Sequence, residues 1–215
     1  MSASKRQRLE AGIASLAIPC SGEQLECLLC YLDMLERWNK TFNLTAVRDP
    51  LQMIGLHLLD SLAVHPYIEN ASSIIDVGTG AGLPGIPLSI LNPQKKFTLL
   101  DSNGKKTRFL FQVISQLELT NAQQVHRRVE AYTPQAKFDR VISRAFSSIP
   151  DMLSQCQHLL AEDGTFLAMK GKNPETELSK VAKAYNVTEL VELKVPQIVG
   201  ERHLVSIKSL SVPEN

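Results

Sequence analysis

The sequence predicts an α/β protein in which a seven-stranded, mostly parallel sheet with an antiparallel last strand follows an N-terminal helical extension. Three observations support this fold class. After Asn70, short runs rich in β-branched residues alternate with helical segments, which is typical of a sheet covered by helices on both faces. Before Asn70, apolar residues recur at helical spacing instead. A glycine-rich turn directly follows the first β-branched run.

The first 70 residues are predicted to form helices that pack on the sheet. A weak helix reaches about Leu16, and an amphipathic helix over Ser21–Lys40 places apolar residues at three- and four-residue steps. A third helix begins at Asp49 and Pro50, an N-cap followed by proline, and ends near Pro66. We therefore divide the chain into an extension, residues 1–70, and one compact domain, residues 71–215.

Seven strands are expected after this extension, in the order SIIDV, KFTLLD, QQVHRRV, FDRVISRA, GTFLAMKG, ELVELKV and HLVSIKS. The helices between them are expected up to Leu91, from about Gly104 to Leu117, over Pro150–Leu160 and over Pro174–Tyr185. The link PQIVGER between the last two strands is too short for a parallel crossover. These two strands are therefore expected to pair antiparallel.

Composition restricts the function classes. The 215 residues are 44% hydrophobic, which suits one large core, and the formal net charge is only +1, so nucleic-acid binding would depend on local clusters. Basic residues concentrate between Lys95 and Arg144. Cys27 and Cys30 form one CxxC pair, but a zinc site needs a second ligand pair at comparable spacing, which the sequence lacks. No apolar run approaches the ~20 residues that span a bilayer. We expect no metal site, no membrane span and a reducing, cytoplasmic setting.

The glycine-rich segment DVGTGAGLPG indicates a nucleotide-type cofactor site. Asp76 ends a strand, and the glycines that follow let the backbone approach a ligand closely. Asp101 ends the next strand, where its carboxylate can accept hydrogen bonds from ribose hydroxyls. S-adenosylmethionine fits this pattern. The candidate contacts from this segment are Asp76, Gly78, Gly80 and Asp101.

Two alternatives stay open at this point. Gly80, Gly82 and Gly85 also satisfy the dinucleotide fingerprint, so a nicotinamide-dependent oxidoreductase is a competitor. Two features count against it: Asp76 would face a pyrophosphate with like charge, and the antiparallel ending strand pair is foreign to the usual six-strand dinucleotide-binding order. The other alternative is that the glycines only serve tight helix–strand packing.

Several collinear motifs resemble one family, the bacterial guanine-N7 methyltransferases of small-subunit ribosomal RNA, also called glucose-inhibited division protein B. They are WNKTFNLT, HLLDSL, DVGTGAGLPGIPL, DSNGKKTRFL, RVE, VISRAF, AMKG and GERHLVSI. The resemblance implies a Rossmann-like class I S-adenosylmethionine-dependent methyltransferase that modifies N7 of a guanine in the decoding-region loop of 16S rRNA. Leu56 and Ala131 depart from residues common in the family, without altering the assignment.

The resemblance also implies site residues and partners. Its cofactor contacts correspond here to Gly78, Leu83, Val129, Glu130 and Arg144. The implied partner is 16S rRNA or the 30S ribosomal subunit, with the protein acting as a monomer away from membranes. A methyltransferase-like binder that assists ribosome assembly without catalysis is a further alternative.

Guanine N7 presents a lone pair, so its methylation needs no general base. Arg144 is the candidate catalytic residue, acting on the cofactor end of the site or on guanine O6; a structural ion pair with Asp139 or Asp76 is the alternative. Phe146 is either a stacking platform for the base or part of the core. His57 and Asp60 are expected to form a hydrogen-bonded pair that docks the extension onto the sheet, with shaping of the cofactor entrance as the alternative. Candidate phosphate contacts, each also interpretable as a solvated charge, are Lys105, Lys106, Arg108, Lys170 and Arg202.

Overall fold

A computed structural model describes residues 2–144, 146 and 148–210 and contains a seven-stranded sheet in the order β3-β2-β1-β4-β5-β7-β6. The first five strands pair in parallel, and β7 pairs antiparallel with both β5 and β6. The predicted fold class is therefore confirmed. The strands are β1 (Ser73–Val77), β2 (Lys96–Asp101), β3 (Ala122–His126), β4 (Phe138–Ser143), β5 (Leu160–Lys170), β6 (Tyr185–Glu192) and β7 (His203–Ser209).

The helices flank this sheet and also make up the N-terminal extension. Short 3₁₀ turns lie at His65–Ile68, Val129–Ala131 and Gln157–Leu159. The α-helical segments are α1 (Ser2–Ser15), α2 (Gly22–Phe42), α3 (Pro50–Met53), α4 (Asp60–Leu62), α5 (Gly85–Leu91), α6 (Gly104–Gln116), α7 (Ile149–Cys156) and α8 (Glu175–Leu178).

The N-terminal helices share a hydrophobic core with the helices beside the glycine loop. Helix α2 begins with a capping box between Ser21 and Gln24, as its sequence predicts, and ends at Asn43 in the left-handed conformation. Its buried face contacts α5 and α6; Trp38, for example, packs on Phe109 at a ring-centroid distance of 5.5 Å. The extension thus packs against one side of the glycine loop. The domain boundary at residue 70 stays a prediction.

The segment after Pro50 is helical but not continuously α-helical, contrary to the sequence prediction. A π-helical turn over Ile54–Leu59 separates α3 from α4. A Cβ added at Gly55 would lie 3.1 Å from the backbone oxygen of Gln197, so this turn approaches the loop before β7 closely. Such turns often occur at functional sites. Here it carries His57 and leads directly into Asp60.

Further boundaries differ from the sequence prediction. The sixth strand, expected as ELVELKV, instead covers Tyr185–Glu192. The helix expected over Pro174–Tyr185 is limited to Glu175–Leu178, because the following residues are mostly exposed and offer no continuous apolar face. Leu160 begins β5 rather than ending a helix, and pairs with Phe138. The third strand stops at His126, so that Arg127 and Arg128 form a turn instead of continuing the strand.

Candidate functional site

The glycine loop between β1 and α5 is built on backbone conformations that favour glycine. Gly78, Gly80 and Gly82 all have positive φ, at 68°, 62° and 94°. A Cβ at Gly82 would also lie 2.5 Å from the Ile86 side chain. The loop is attached to the neighbouring strand, since the Gly78 amide donates to the Leu100 carbonyl at 2.8 Å. This geometry exposes loop backbone at the carboxyl end of β1.

Asp76 supports this loop from beneath. Its side chain is fully buried, and one carboxylate oxygen accepts hydrogen bonds from Thr79 Oγ1 at 2.6 Å and from the Gly85 amide at 2.8 Å. Burial raises the pKa of Asp76 to about 6, although these hydrogen bonds oppose the shift. The expected direct cofactor contact of Asp76 is therefore corrected to a positioning role. Because its carboxylate is buried, Asp76 cannot face a pyrophosphate either, so its charge no longer counts against a dinucleotide ligand.

The first of three neighbouring cavities lies at the ends of β1, β2 and β3, and we call it the strand-end cavity. Its volume is about 320 Å³. Asp101 lies in its wall and accepts hydrogen bonds from the amides of Gly80 and Asn103, both at 2.8 Å. Lys106 Nζ lies 3.8 Å from the same carboxylate. The lining residues are Val77, Gly78, Leu100, Asp101, Ser102, Lys106, Arg127, Arg128, Val129, Glu130, Phe146 and Gln155.

A smaller cavity of about 180 Å³ lies over the glycine loop, and we call it the loop cavity. Gly78 and Lys106 line both this cavity and the strand-end cavity, so the two form adjoining parts of one cleft. The lining residues are Leu44, Thr45, Gly78, Thr79, Gly80, Ala81, Leu83, Lys106 and Arg144. We call this the cofactor cleft, because it contains predicted cofactor contacts from four separate chain segments.

The third cavity, of about 350 Å³, is built around a buried carboxylate, and we call it the basic cavity. Asp60 is 2% exposed and accepts from Arg144 Nη1 at 2.9 Å on one oxygen and from Arg202 Nε at 3.0 Å on the other. Arg144 also donates to the Leu56 carbonyl in the π-helical turn. Lys170 lines the cavity and pairs with Glu177 at 2.7 Å.

These contacts revise two expectations. Arg144 pairs with Asp60, not with Asp139 or Asp76. His57 does not pair with Asp60: its Nε2 shares a hydrogen bond with Thr45 Oγ1 at 2.8 Å. Burial lowers the pKa of His57 to about 4, so the ring is neutral near pH 7.

The remaining predicted RNA contacts separate into groups. Phe146 lines the strand-end cavity and packs on the core beside β4, which does not favour stacking on a base held in the basic cavity. Lys106 lines the cofactor cleft instead of the outer surface. Lys105 and Arg108 are exposed on α6. Lys170 and Arg202 belong to the basic cavity.

Several cavity residues were not singled out from the sequence. Ser102 and Arg127 line the strand-end cavity because each follows the end of a sheet strand. That position is itself the signal that could have identified them. Thr45 gives no such signal, since only the packing of the α2–α3 loop brings it to the glycine loop.

The residues present suit S-adenosylmethionine. The positive-φ glycines leave room for a ligand over the loop, and the acidic Asp101 and Glu130 can accept hydrogen bonds from hydroxyl and amino groups. Among residues 2–144, 146 and 148–210, no group of three or more His, Cys, Asp or Glu is placed to hold a metal ion. Within that described part, no helix has the length and apolar character needed to cross a membrane.

Comparison with known structures shows the fold. A ribosomal protein L11 methylase from Lactobacillus delbrueckii subsp. bulgaricus superposes with a TM-score of 0.54 at 15% identity, covering 70% of this chain and 76% of that one. A precorrin-6y C5,15-methyltransferase from Geobacter metallireducens gives 0.54 at 16% identity, covering 70% and 87%. The architecture is that of class I methyltransferases.

Sequence relatives are much closer. A ribosomal RNA small subunit methyltransferase G of Shewanella sp. (strain MR-4) is 50% identical over 93% of this chain and 97% of its own length. The protein of the same name from Haemophilus influenzae is 47% identical over 94% of this chain and its entire length. The family described as rRNA small subunit methyltransferase G matches residues 24–205. Together with the glycine loop and its adjoining cavities, these matches show that the chain belongs to the rRNA small subunit methyltransferase G family.

Proposed function

We propose that this protein transfers a methyl group from S-adenosylmethionine to N7 of a guanine in 16S rRNA. The observation that carries the proposal is the position of Arg144, which lines both the loop cavity and the basic cavity. A cofactor in the cleft and a base in the basic cavity would meet at this side chain. Family membership supplies the reaction class, and the N7 position rests on the resemblance and on the chemistry below.

The cofactor cleft would divide the ligand between its two parts. The strand-end cavity would hold the nucleoside, because Asp101 offers a carboxylate to ribose hydroxyls and Val129 and Glu130 lie beside it. The loop cavity, with Gly78, Gly80 and Leu83 in its wall, would hold the amino-acid end. When bound, S-adenosylmethionine supplies an electrophilic methyl group on a sulfonium.

The basic cavity suits a guanine whose N7 reacts as a free lone pair. Guanine presents O6 and N7 as neighbouring acceptors, and an arginine donating to O6 would orient the base without consuming N7. No proton needs to leave N7, so the neutral state of His57 fits the reaction. Arg144 and Arg202 therefore orient the base, and rate enhancement comes from alignment and water exclusion, for which proximity can supply roughly 7 to 11 kcal/mol.

The proposal includes the partner and the setting. The protein would act as a monomer. The substrate would be 16S rRNA, either free or within the 30S subunit, and an rRNA substrate places the reaction in the cytoplasm.

Methyl transfer to deproteinised 16S rRNA, 30S subunits and intact ribosomes tests the proposal. We expect transfer to at least one of these, with the label at a guanine that becomes cleavable by borohydride and aniline, as N7-methylguanine does. Binding of S-adenosylmethionine in preference to NAD is expected in parallel. Binding to rRNA without transfer to any substrate would favour the assembly binder and overturn the proposal.

A further inference from the structure

We propose that the outer face of α6 binds a single-stranded segment of rRNA next to the target guanine, with Phe111 as a stacking platform for a base and Lys105 and Arg108 as phosphate contacts. We call these three residues the α6 stripe. This inference rests on the proposed function, because it assumes that rRNA is the substrate. It goes further by naming a surface outside all three cavities and the conformation of the RNA that it binds.

The α6 stripe is continuous because its residues are three positions apart, which places them on one side of a helix. All three are exposed, and Phe111 is 58% exposed. The opposite side of α6 is the core side, where Phe109 and Leu110 are fully buried. Helix packing therefore accounts for Phe109 and leaves Phe111 unexplained.

The charges of the α6 stripe are available to a ligand. In the part of the chain that the structure describes, Lys105 and Arg108 form no side-chain ion pair or hydrogen bond. The other exposed positions between 104 and 116 include no acidic residue. Two free cations beside an exposed aromatic ring match the way proteins bind single-stranded nucleic acid, by following the phosphates and stacking the bases.

A second exposed apolar residue shows that exposure alone does not make such a surface. Leu190 on β6 is 39% exposed, but Glu189 and Glu192 lie near it on the same strand. Those carboxylates would repel phosphates. Both sites therefore expose an apolar side chain, but their surroundings carry opposite charge, which makes Leu190 a control for exposure alone.

The α6 stripe also begins beside the cofactor cleft. Lys106, the neighbour of Lys105, lines both parts of the cofactor cleft. Phe111 is five residues further along the helix, about 7.5 Å along its axis at 1.5 Å per residue. An RNA strand with its target guanine in the basic cavity and a neighbouring nucleotide near Lys106 can therefore continue along α6.

The test uses the full chain and measures affinity for deproteinised 16S rRNA over a range of salt concentrations. Phe111→Ala should weaken binding roughly tenfold with an unchanged salt dependence, because stacking involves no counterion release. Arg108→Gln should weaken binding and reduce the salt slope by about one. Phe111→Trp should keep the rRNA affinity of the wild type, because tryptophan also stacks on a base. Leu190→Ala should leave the rRNA affinity unchanged. S-adenosylmethionine affinity and the melting temperature should be unchanged in all four variants.

Two results would overturn the inference while leaving the proposed function standing. One is equal rRNA affinity for Phe111→Ala and Leu190→Ala in a protein that methylates rRNA. The other is a defect of Phe111→Ala on 30S subunits that is absent on free rRNA, which would assign the α6 stripe to a protein partner. Failure of the wild type to methylate any rRNA substrate would instead overturn the proposed function itself.

Discussion

The cofactor cleft and the basic cavity adjoin at Arg144, yet they are built in different ways. The cleft is formed largely by residues at or just after the ends of neighbouring parallel strands: Asp101 is the last residue of β2, and Gly78 follows β1. The basic cavity depends on Asp60, which joins Arg144 and Arg202 across 84 and 142 residues of sequence. The difference teaches that cofactor binding rests on a local motif here, whereas acceptor binding rests on one long-range charge network. The experiments below are designed to separate the two.

The largest effect is expected for Arg144→Ala, because Arg144 belongs to both regions. Methyl transfer should fall by about 100-fold, since small misplacements of reacting groups cost that much. The melting temperature should change far less. Arg140→Ala, on the strand that precedes Arg144, is the control: Arg140 donates to the carbonyls of Tyr67 and Asp139, outside the cavities. Parallel losses of activity and stability in Arg144→Ala would contradict a role in the reaction.

Gly82→Ala should act on the cofactor cleft. The positive φ disfavours alanine, and its Cβ would lie 2.5 Å and 2.9 Å from the side chains of Ile86 and Leu110, so the loop must shift. We expect S-adenosylmethionine affinity to fall more than tenfold, which titration calorimetry would measure. Gly171→Ala in the basic cavity is the matched change, because its nearest non-neighbouring atom is 4.0 Å away. Equal cofactor affinity in both variants would show that the loop tolerates a side chain.

Asp60→Asn should act on the basic cavity and should separate binding from turnover. It removes the charge that neutralises Arg144 and Arg202, so rRNA affinity should hold or increase. Turnover should fall roughly tenfold, because the two guanidinium groups lose their fixed orientation. Steady-state kinetics would show a lower kcat without a higher KM for rRNA. Asp33→Asn, at an exposed ion pair with Lys5, should change neither constant; a joint loss of affinity and turnover in Asp60→Asn would indicate a purely structural role.

The smallest net effect concerns stability, because the two regions should respond to pH in opposite directions and largely offset each other. The His57 pKa of about 4 lies below its ordinary 6.5, so the contribution of the neutral ring is complete above pH 6.5 and is lost as pH falls through 4. The Asp76 pKa of about 6 lies above 3.8, so its contribution is complete below pH 3.8 and is lost as pH rises through 6. Each shift corresponds to about 3 kcal/mol.

Melting curves of His57→Gln and Asp76→Asn between pH 7 and about pH 4 would measure these contributions. The stability advantage of the wild type over His57→Gln should shrink on acidification. Relative to Asp76→Asn, the wild type should gain stability over the same range. Curves that stay parallel to the wild type would show that neither group titrates differently on folding.

The sequence predicted the cofactor side of the site better than the acceptor side. The turn after Asp76 and the position of Asp101 follow from strand ends and glycines that are adjacent in the chain, and the cleft forms there. The predicted hydrogen bond between His57 and Asp60 was wrong. Residues three apart share one face of a regular α-helix, but here a π-helical turn precedes Asp60, and His57 bonds to Thr45 instead. Asp76 was predicted to contact the cofactor because it ends a strand, but a position at a strand end does not show whether the side chain is buried.

By itself, the sequence determined the order of strands and helices, the glycine loop and the family, since periodicity, turn residues and collinear motifs are local properties of the chain. The tertiary structure alone decided which charges meet. Asp60, Arg144 and Arg202 lie on three separate elements, and their pairing requires the π-helical turn, the end of β4 and the loop before β7 to be packed together. An ion pair between distant residues depends on that packing, because burying a charged carboxylate costs free energy that only converging opposite charges or hydrogen-bond donors compensate.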